Sequence, residues 1–410
     1  MNGLDRAVGY FTRETGIMDA LCVAAGQDGR ILRSRDGRDL GDRAVFDLAS
    51  VTKLFTGLCL MRLAELGRLD LSARVTAYAP EFPGLFDVTV EQLAAFQVQV
   101  RTPARIDAQP DRESALRCLR ASAVIRPESG GSFSENGAHY TPGHRISRFY
   151  SDIPAMILKY VIEGAAGESF FDCIREWILQ PAGMRETWAR VPQERRADCL
   201  LYGPEYRIEK EKYICRTDPL RGVPHDPKAA VLQGSSGDLC GHAGLFSTME
   251  DLIRFCRAVL AEKIVTRETL ARMAVNRTGR RMPDGTWSQF LGYQCYVKHP
   301  DQYFSEIPAS MSPSAFGIGG FTGCHLSVDP ARNRFTIMLG NRVRDRLTVL
   351  LPEAGKTLED YGLRPDGTGR VRWPDGSEHL SSVNYVHQKD AHLHRAVDEA
   401  FRLCRPKPAD

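Results

Sequence analysis

The chain has 410 residues, 43% of them apolar and 26% charged, which places it in the globular range with room for a large core or a two-part fold. Its formal charge is +3, carried mostly by arginine since only ten lysines occur, and no basic stripe with interleaved aromatics marks a nucleic-acid surface. The N-terminus mixes acids and bases where a secretory leader needs a continuous apolar stretch, and no run of eighteen apolar residues occurs, so neither a leader nor a membrane span is expected.

In chain order, residues 4–14 predict a first helix, and Ala20 to Ser34 two short strands around the turn Gln27-Asp28-Gly29. From Ser50 to Leu66 apolar residues recur at helical spacing; Ser50 is placed to cap the start and Gly67 to supply the left-handed stop. Between about residue 70 and residue 235 helices with long connections dominate. Asp152 to Glu163 is apolar on nearly every face, the pattern of a buried helix, whereas 97–149 and 190–236 are rich in Arg, Pro, Gly and Ser and predict long loops that cover or build a site. Beyond Gly241, a helix is expected at Met249–Ala261 and antiparallel strands near Gln289–Val297, Gly323–Val328 and Arg334–Leu339. Residues 355–386, with Pro-Asp-Gly twice, predict an added polar hairpin or loop, and His387–Cys404 a closing helix. Sheet-forming sequence at both ends implies one domain: a discontinuous sheet subdomain of 1–70 and 240–410, with a mainly helical insert at 71–239.

Eleven cysteines are scattered singly through apolar stretches, with no C-x-x-C pair and no zinc-ligand spacing. Buried thiols in a reducing compartment, the cytoplasm, are the expectation. His387, His392 and His394 do not share one helix face and predict no metal site, His225-Asp226 lacks a third partner for a triad, and Gly130-Gly131-Ser132 lacks the flanking elements of a phosphate loop. No cofactor is implied, and nothing in the pattern sets an oligomeric state.

Ser50-Val51-Thr52-Lys53 puts an alcohol and an amine three residues apart on the first turn of a helix, where the side chains meet. Such an amine takes the hydroxyl proton only when neutral, so its pKa must fall from about 10.4 through burial or nearby positive charge. With 23 serines and ten lysines the spacing alone arises by chance about half the time. Its setting is more specific, because the pair opens an otherwise apolar helix where a solvated lysine gains little.

Phe46-Asp47-Leu48-Ala49-Ser50-Val51-Thr52-Lys53 resembles the nucleophile segment of the serine β-lactamase and penicillin-binding protein superfamily, in particular the class C-like branch that includes esterases and D-peptidases. Three further stretches follow in the family's order. Thr141 to Asp152 is similar to its Pro-Gly turn and Tyr-x-Asn element, Gly241 to Thr248 to the segment lining the substrate side, and Phe316 to Gly323 to the strand carrying Lys/His-Thr-Gly.

The resemblance implies an α/β (α+β) fold of the β-lactamase/transpeptidase-like type, an antiparallel sheet flanked by helices with an inserted helical subdomain. It implies Ser50 as nucleophile, Lys53 as neighbouring base, and Tyr150 as a phenol that shares the proton. Asp152 stands where Asn is commoner; an ionised carboxylate only accepts, so it holds Lys53 or grips a substrate donor, and it would raise the pKa of Lys53 and shift the base role towards Tyr150. His242 is implied on the substrate side. Ile318 replaces the family's cation or imidazole, which puts β-lactam hydrolysis in doubt, while Gly320 lets the strand edge approach a ligand and the N–H of Phe321 joins that of Ser50 as an oxyanion hole. Arg342 is a candidate replacement cation, with a solvated strand-end arginine the plainer alternative. The expected activity is cleavage of an ester or amide of a small acyl substrate, with a D-amino-acid peptidase or carboxypeptidase or a β-lactamase as alternatives, and a non-catalytic binding protein of the same fold as the alternative of another class.

Overall fold

The computed structural model describes residues 3–125, 133–135, 138–140, 149–217, 221–234, 236–282, 285, 287–300 and 306–403. The helices used below are α1 (Gly3–Gly9), α2 (Thr52–Glu65), α3 (Ile153–Ala166), α4 (Pro227–Gln233), α5 (Met249–Leu260) and α6 (Arg395–Leu403). The strands are β1 (Ala20–Gln27), β2 (Arg30–Gly37), β3 (Glu205–Glu209), β4 (Lys212–Arg216), β5 (Tyr296–Val297), β6 (Phe316–Gly319), β7 (His325–Asp329), β8 (Arg334–Gly340), β9 (Arg346–Leu351), β10 (Arg370–Arg372) and β11 (Glu378–Ser381).

Strand β1 reads ALCVAAGQ and is buried on both faces, so it is apolar throughout rather than alternating. Asp28 (φ +50°) and Gly29 (φ +83°) take the left-handed conformations a two-residue hairpin needs, and β2 returns from Gln27↔Arg30 to Ala20↔Gly37. Strands from the other end of the chain complete one antiparallel sheet of order β5-β6-β7-β8-β1-β2, with Leu21 opposite Gly340 and Gly319 opposite His325.

Alternation along β1 sorts its side chains into two cores. Ala20, Cys22 and Ala24 face the layer of α2 and α5, where Phe55 stacks on Phe255 at 4.6 Å; Leu21, Val23 and Ala25 face α1 and the C-terminal helices through Leu4, Val8, Leu393 and Val397. The expected antiparallel sheet flanked by helices is thus what the chain forms, and it draws on both ends of the sequence.

A second sheet, of order β10-β11-β9-β3-β4, departs from the expectation of a loop at 190–236 and includes, as β10 and β11, a hairpin within 355–386 as expected. Strand β9 runs parallel to both β11 and β3, around a small core of Ile208, Leu347, Tyr361, Leu363 and Val371. Strand β3 escaped periodicity because it is short and charged, Glu205-Tyr206-Arg207-Ile208-Glu209, with Glu205 fully buried against Arg207 and Arg216. The part of 97–149 that lies within the described residues likewise contains a helix, Arg112–Arg120, capped by Asp111. The Gly130-Gly131-Ser132 run and residues 141–148 of the second family-like stretch lie outside the described residues.

Among the described residues no helix is long and apolar enough to cross a membrane.

Candidate active site

The segment before Ser50 is locked by one buried carboxylate. Asp47 accepts from the backbone N–H of Ala49 (2.8 Å) through Oδ1 and from that of His225 (2.7 Å) through Oδ2, while its carbonyl accepts from Thr322 Oγ1 (2.9 Å). Phe46–Asp47 also pairs with Phe246–Ser247, so the nucleophile segment is tied to the stretch carrying His242. Held this way, Ala49 adopts φ +45°, an unfavourable conformation for a residue with a Cβ, and presents Ser50 at the mouth of α2.

Ser50 does not cap that helix. It lies in a tight 3-10 turn, Ala49–Val51, and α2 begins at Thr52 without a side-chain cap. Gly67 does supply the left-handed stop, at φ +66°. The Ser50 hydroxyl instead receives Lys53 Nζ at 3.0 Å. Lys53 is fully buried, and its Nζ donates further to Asp152 Oδ1 (2.6 Å) and to the carbonyl of His242 (3.1 Å).

Asp152 sits at the N-cap position of α3 but makes no cap hydrogen bond. Its carboxylate turns inward, one oxygen on Lys53 and the other 3.0 Å from Lys228 Nζ. Lys228 lies 3.7 Å from Asp226 Oδ2, and Asp226 Oδ1 lies 3.0 Å from His242 Nε2. Lys53, Asp152, Lys228, Asp226 and His242 therefore form a closed ring, completed by the His242 carbonyl on Lys53.

Burial alone would raise the Asp152 carboxyl, but the positive fields of Lys53, Lys228 and His242 override it and hold the group well below the usual carboxylate range. For Lys53, burial pushes the pKa down and Lys228 adds to that, against the upward pull of Asp152 and Asp226; the net direction is below the ordinary lysine value. The expectation that Asp152 would raise Lys53 holds for that one interaction and is outweighed by desolvation.

The half-buried Tyr150 ring lies over Lys53, 4.9 Å from Nζ to the centroid. It stacks between Phe96 and Tyr296, each at 5.6 Å, and Gln289 Oε1 accepts from the N–H groups of Phe149 (2.8 Å) and Tyr150 (2.9 Å). Ser50, Lys53 and Tyr150 are thus brought together from positions a hundred residues apart.

His242 enters the site through its backbone. Its imidazole is fully buried, with Nε2 on Asp226 and Nδ1 3.4 Å from the carbonyl of Cys240. Gly320 packs against the loop before Ser50: a Cβ there would lie 2.6 Å from the carbonyl oxygen of Leu48. Phe321 follows at the turn, its half-buried ring between Arg342 and Arg207, whose guanidinium carbons lie 4.5 and 5.3 Å from its centroid. Ile318 points into the main core and is fully buried, so this strand brings no charge to the cleft.

Arg342 is neither solvated nor turned to the cleft. It is buried, donates from Nε to the Phe321 carbonyl (2.7 Å) and from an Nη to the Ser382 carbonyl (2.8 Å), and braces the Phe321 turn from behind. His225 pairs with Glu205 at 2.9 Å rather than with its neighbour Asp226.

Asp152, Asp226 and His242 bring three ligand-type atoms within 4.8 Å of one another. The Lys228 ammonium contacts both carboxylates and fills the place a cation would take, so this donor set does not suit a metal.

Sequence reasoning missed Lys228, Gln289, Phe96 and the role of Asp47. A signal existed for the first: Asp226-Pro227 is a helix start, with Asp226 accepting from Ala229 N–H and Pro227 in the first turn, which places Lys228 on a helix rather than in a loop.

A family model described as Beta-lactamase matches residues 13–354. The chain is 25% identical over 339 residues to a Salmonella agona (strain SL483) protein named "Putative D-alanyl-D-alanine carboxypeptidase", covering 79% of this chain and 75% of that one. Among solved structures it is similar to "EstCE1, a hydrolase with promiscuous acyltransferase activity" (TM-score 0.59, 18% identity, 82% of this chain and 92% of that one). It is also similar to a class C beta-lactamase (TM-score 0.58, 16% identity, 83% and 90%) and to the octameric penicillin-binding protein homologue from Pyrococcus abyssi (TM-score 0.58, 19% identity, 82% and 72%). At these identities the structural likeness speaks for the fold.

Proposed function

This chain belongs to the Beta-lactamase family, whose neighbours here are hydrolases, and on that footing we propose that it is a serine hydrolase cleaving an ester or amide of a small acyl substrate. The observation that carries the reading is the 3.0 Å contact between Ser50 Oγ and a fully buried Lys53 Nζ whose pKa is pushed down.

In this mechanism neutral Lys53 takes the Ser50 proton as Oγ attacks the carbonyl carbon. The N–H groups of Ser50 and Phe321 hold the oxyanion of the tetrahedral intermediate, a stabilisation of several kcal/mol. Tyr150 passes the proton to the leaving alkoxide or amine, the carbonyl reforms as that bond breaks, and the acyl group remains on Ser50. Water then attacks the acyl-enzyme by the same route and returns the proton to Ser50. Asp152 and His242 support Lys53 rather than grip substrate, since both carboxylate oxygens and both ring nitrogens already face protein groups.

A D-amino-acid peptidase is the second reading, favoured by the name of the Salmonella relatives. The buried Ile318 argues against it, because that strand offers nothing to a terminal carboxylate. The ten free cysteines among the described residues, nine of them buried, accord with a cytoplasmic enzyme.

Chromogenic esters, D-amino-acid anilides and a β-lactam, tested on the native protein and on Ser50→Ala, decide among these. Turnover of esters by the native protein and of nothing by the variant is expected. Ester turnover unchanged in Ser50→Ala contradicts the mechanism, and preferential anilide cleavage moves the reading to a peptidase.

A further inference from the structure

A buried lysine that contacts a carboxylate at 2.6 Å is ordinarily held as an ammonium, useless as a base. Here the carboxylate is shared. Lys53 takes Asp152 Oδ1 from α2, and Lys228 takes Oδ2 from the first turn of α4 at 3.0 Å.

We propose that Lys228 is a positioning residue of the acyl-transfer centre, neutralising Asp152 from the side opposite Lys53 so that Lys53 can stand uncharged beside it. The inference rests on the serine-hydrolase reading and deepens it. Lys228 does not touch Ser50; it acts through Asp152, and the closed ring shows how it is held. Asp226 draws the ammonium from 3.7 Å and is itself fixed by His242 and by the N–H of Ala229. When Lys53 loses its charge, Asp152 keeps a partner and no unpaired carboxylate is left buried.

The groups that set the field at Lys53 come from every element around it. Asp152 at the start of α3 and Asp226 before α4 favour the ammonium, and Lys228 on α4 opposes it. His242, from the segment before Phe246, acts on both carboxylates. Tyr150 covers Lys53 with its ring, and Asp107, in the 106–108 turn, also senses Lys228. Burial and the Lys228 field act together in lowering Lys53.

The test is the rate of Ser50 labelling by a fluorophosphonate between about pH 5 and about pH 10, a probe that needs no knowledge of the substrate. Lys228→Gln, Lys228→Met and Lys228→Arg are compared with the native protein, with folding checked by circular dichroism. Losing the charge should move the midpoint of the profile up by about one pH unit or more while the plateau at high pH stays within about threefold; Lys228→Arg should keep the native midpoint. An unmoved midpoint in a folded neutral variant overturns the proposal, as does a lowered plateau at the native midpoint, the mark of a purely structural role.

Should both neutral variants fail to fold, lysine labelled with 13C at Cε reads the same quantity in the native protein and in Lys228→Arg. Lys53 is expected to titrate below the ordinary lysine value and at one midpoint in both; a Lys53 titrating at or above that value overturns the proposal. Absence of native labelling at every pH defeats the hydrolase reading itself and is distinct from these outcomes.

Discussion

Gly320 lies so close to the carbonyl of Leu48 that a methyl group on its Cα would sit 2.6 Å from that oxygen. The close approach joins the turn carrying Phe321 to the loop carrying Ser50, and with it the two N–H groups proposed to hold the oxyanion. Gly320→Ala must push these apart by a large part of an ångström. A displacement of that size costs about 10²-fold in turnover. Overpacking adds about 1–3 kcal/mol of destabilisation. Ester kinetics and urea unfolding read the two effects, and native kinetics in a folded variant would remove the turn from the mechanism.

Tyr150 packs between Phe96 and Tyr296, so Tyr150→Phe keeps the stacked rings and removes only the hydroxyl. If the phenol carries the proton to the leaving group, kcat falls by about 10²- to 10⁴-fold. The melting temperature should stay near native, because the packing is retained. Full activity in this variant would leave Lys53 as the sole proton carrier.

Asp152 is the countercharge of two ammonium groups. Asp152→Ala leaves the buried Lys53 and the half-buried Lys228 without it and should cost about 3–5 kcal/mol of stability. Asp152→Asn keeps the shape and removes the charge that pulls Lys53 up, so the pH–rate midpoint should move to lower pH. A midpoint that moves up or stays contradicts the electrostatic account of the ring.

Burial pushes the Asp390 carboxyl up to about 6 despite Lys389. Its Oδ1 lies 2.9 Å from His394 Nδ1, yet the geometry makes no hydrogen bond. The folded chain therefore binds this proton more tightly than the unfolded chain. Below the unfolded value near 3.9 both states are protonated and stability is unaffected; as pH rises the folded state loses stability, fully so above about 6. Allowing for its partial exposure, Asp390→Asn should be more stable than native by about 1–2 kcal/mol at pH 7 and equal to it below about pH 4. Urea midpoints at the two pH values test this.

How much of this was legible in the residues depended on what each residue touches. The helix after Ser50, the Asp28-Gly29 hairpin and strands β7 and β8 announced themselves because their packing follows chain periodicity. Strands β3 and β9 did not: β3 carries three charges in five residues, and β9 pairs only with distant segments, Arg346 lying opposite Glu205 on one side and Leu380 on the other. Ser50 and Lys53 were readable as a pair because they lie one turn apart. Lys228 was not, because it meets Asp152 across 76 residues of chain, and its only local sign was the Asp226-Pro227 helix start. Arg342 shows the converse: its position suggested a solvated or ligand-binding cation, whereas the fold buries it against carbonyl oxygens.

The central claim is that a buried, uncharged Lys53 makes Ser50 reactive, and the most direct measurement is the rate of fluorophosphonate attachment at Ser50, located by mass spectrometry, in the native protein and in Lys53→Met. Stoichiometric labelling of the native protein and a rate about 10²-fold or more lower in the variant are predicted. Equal rates in the two proteins would contradict the account.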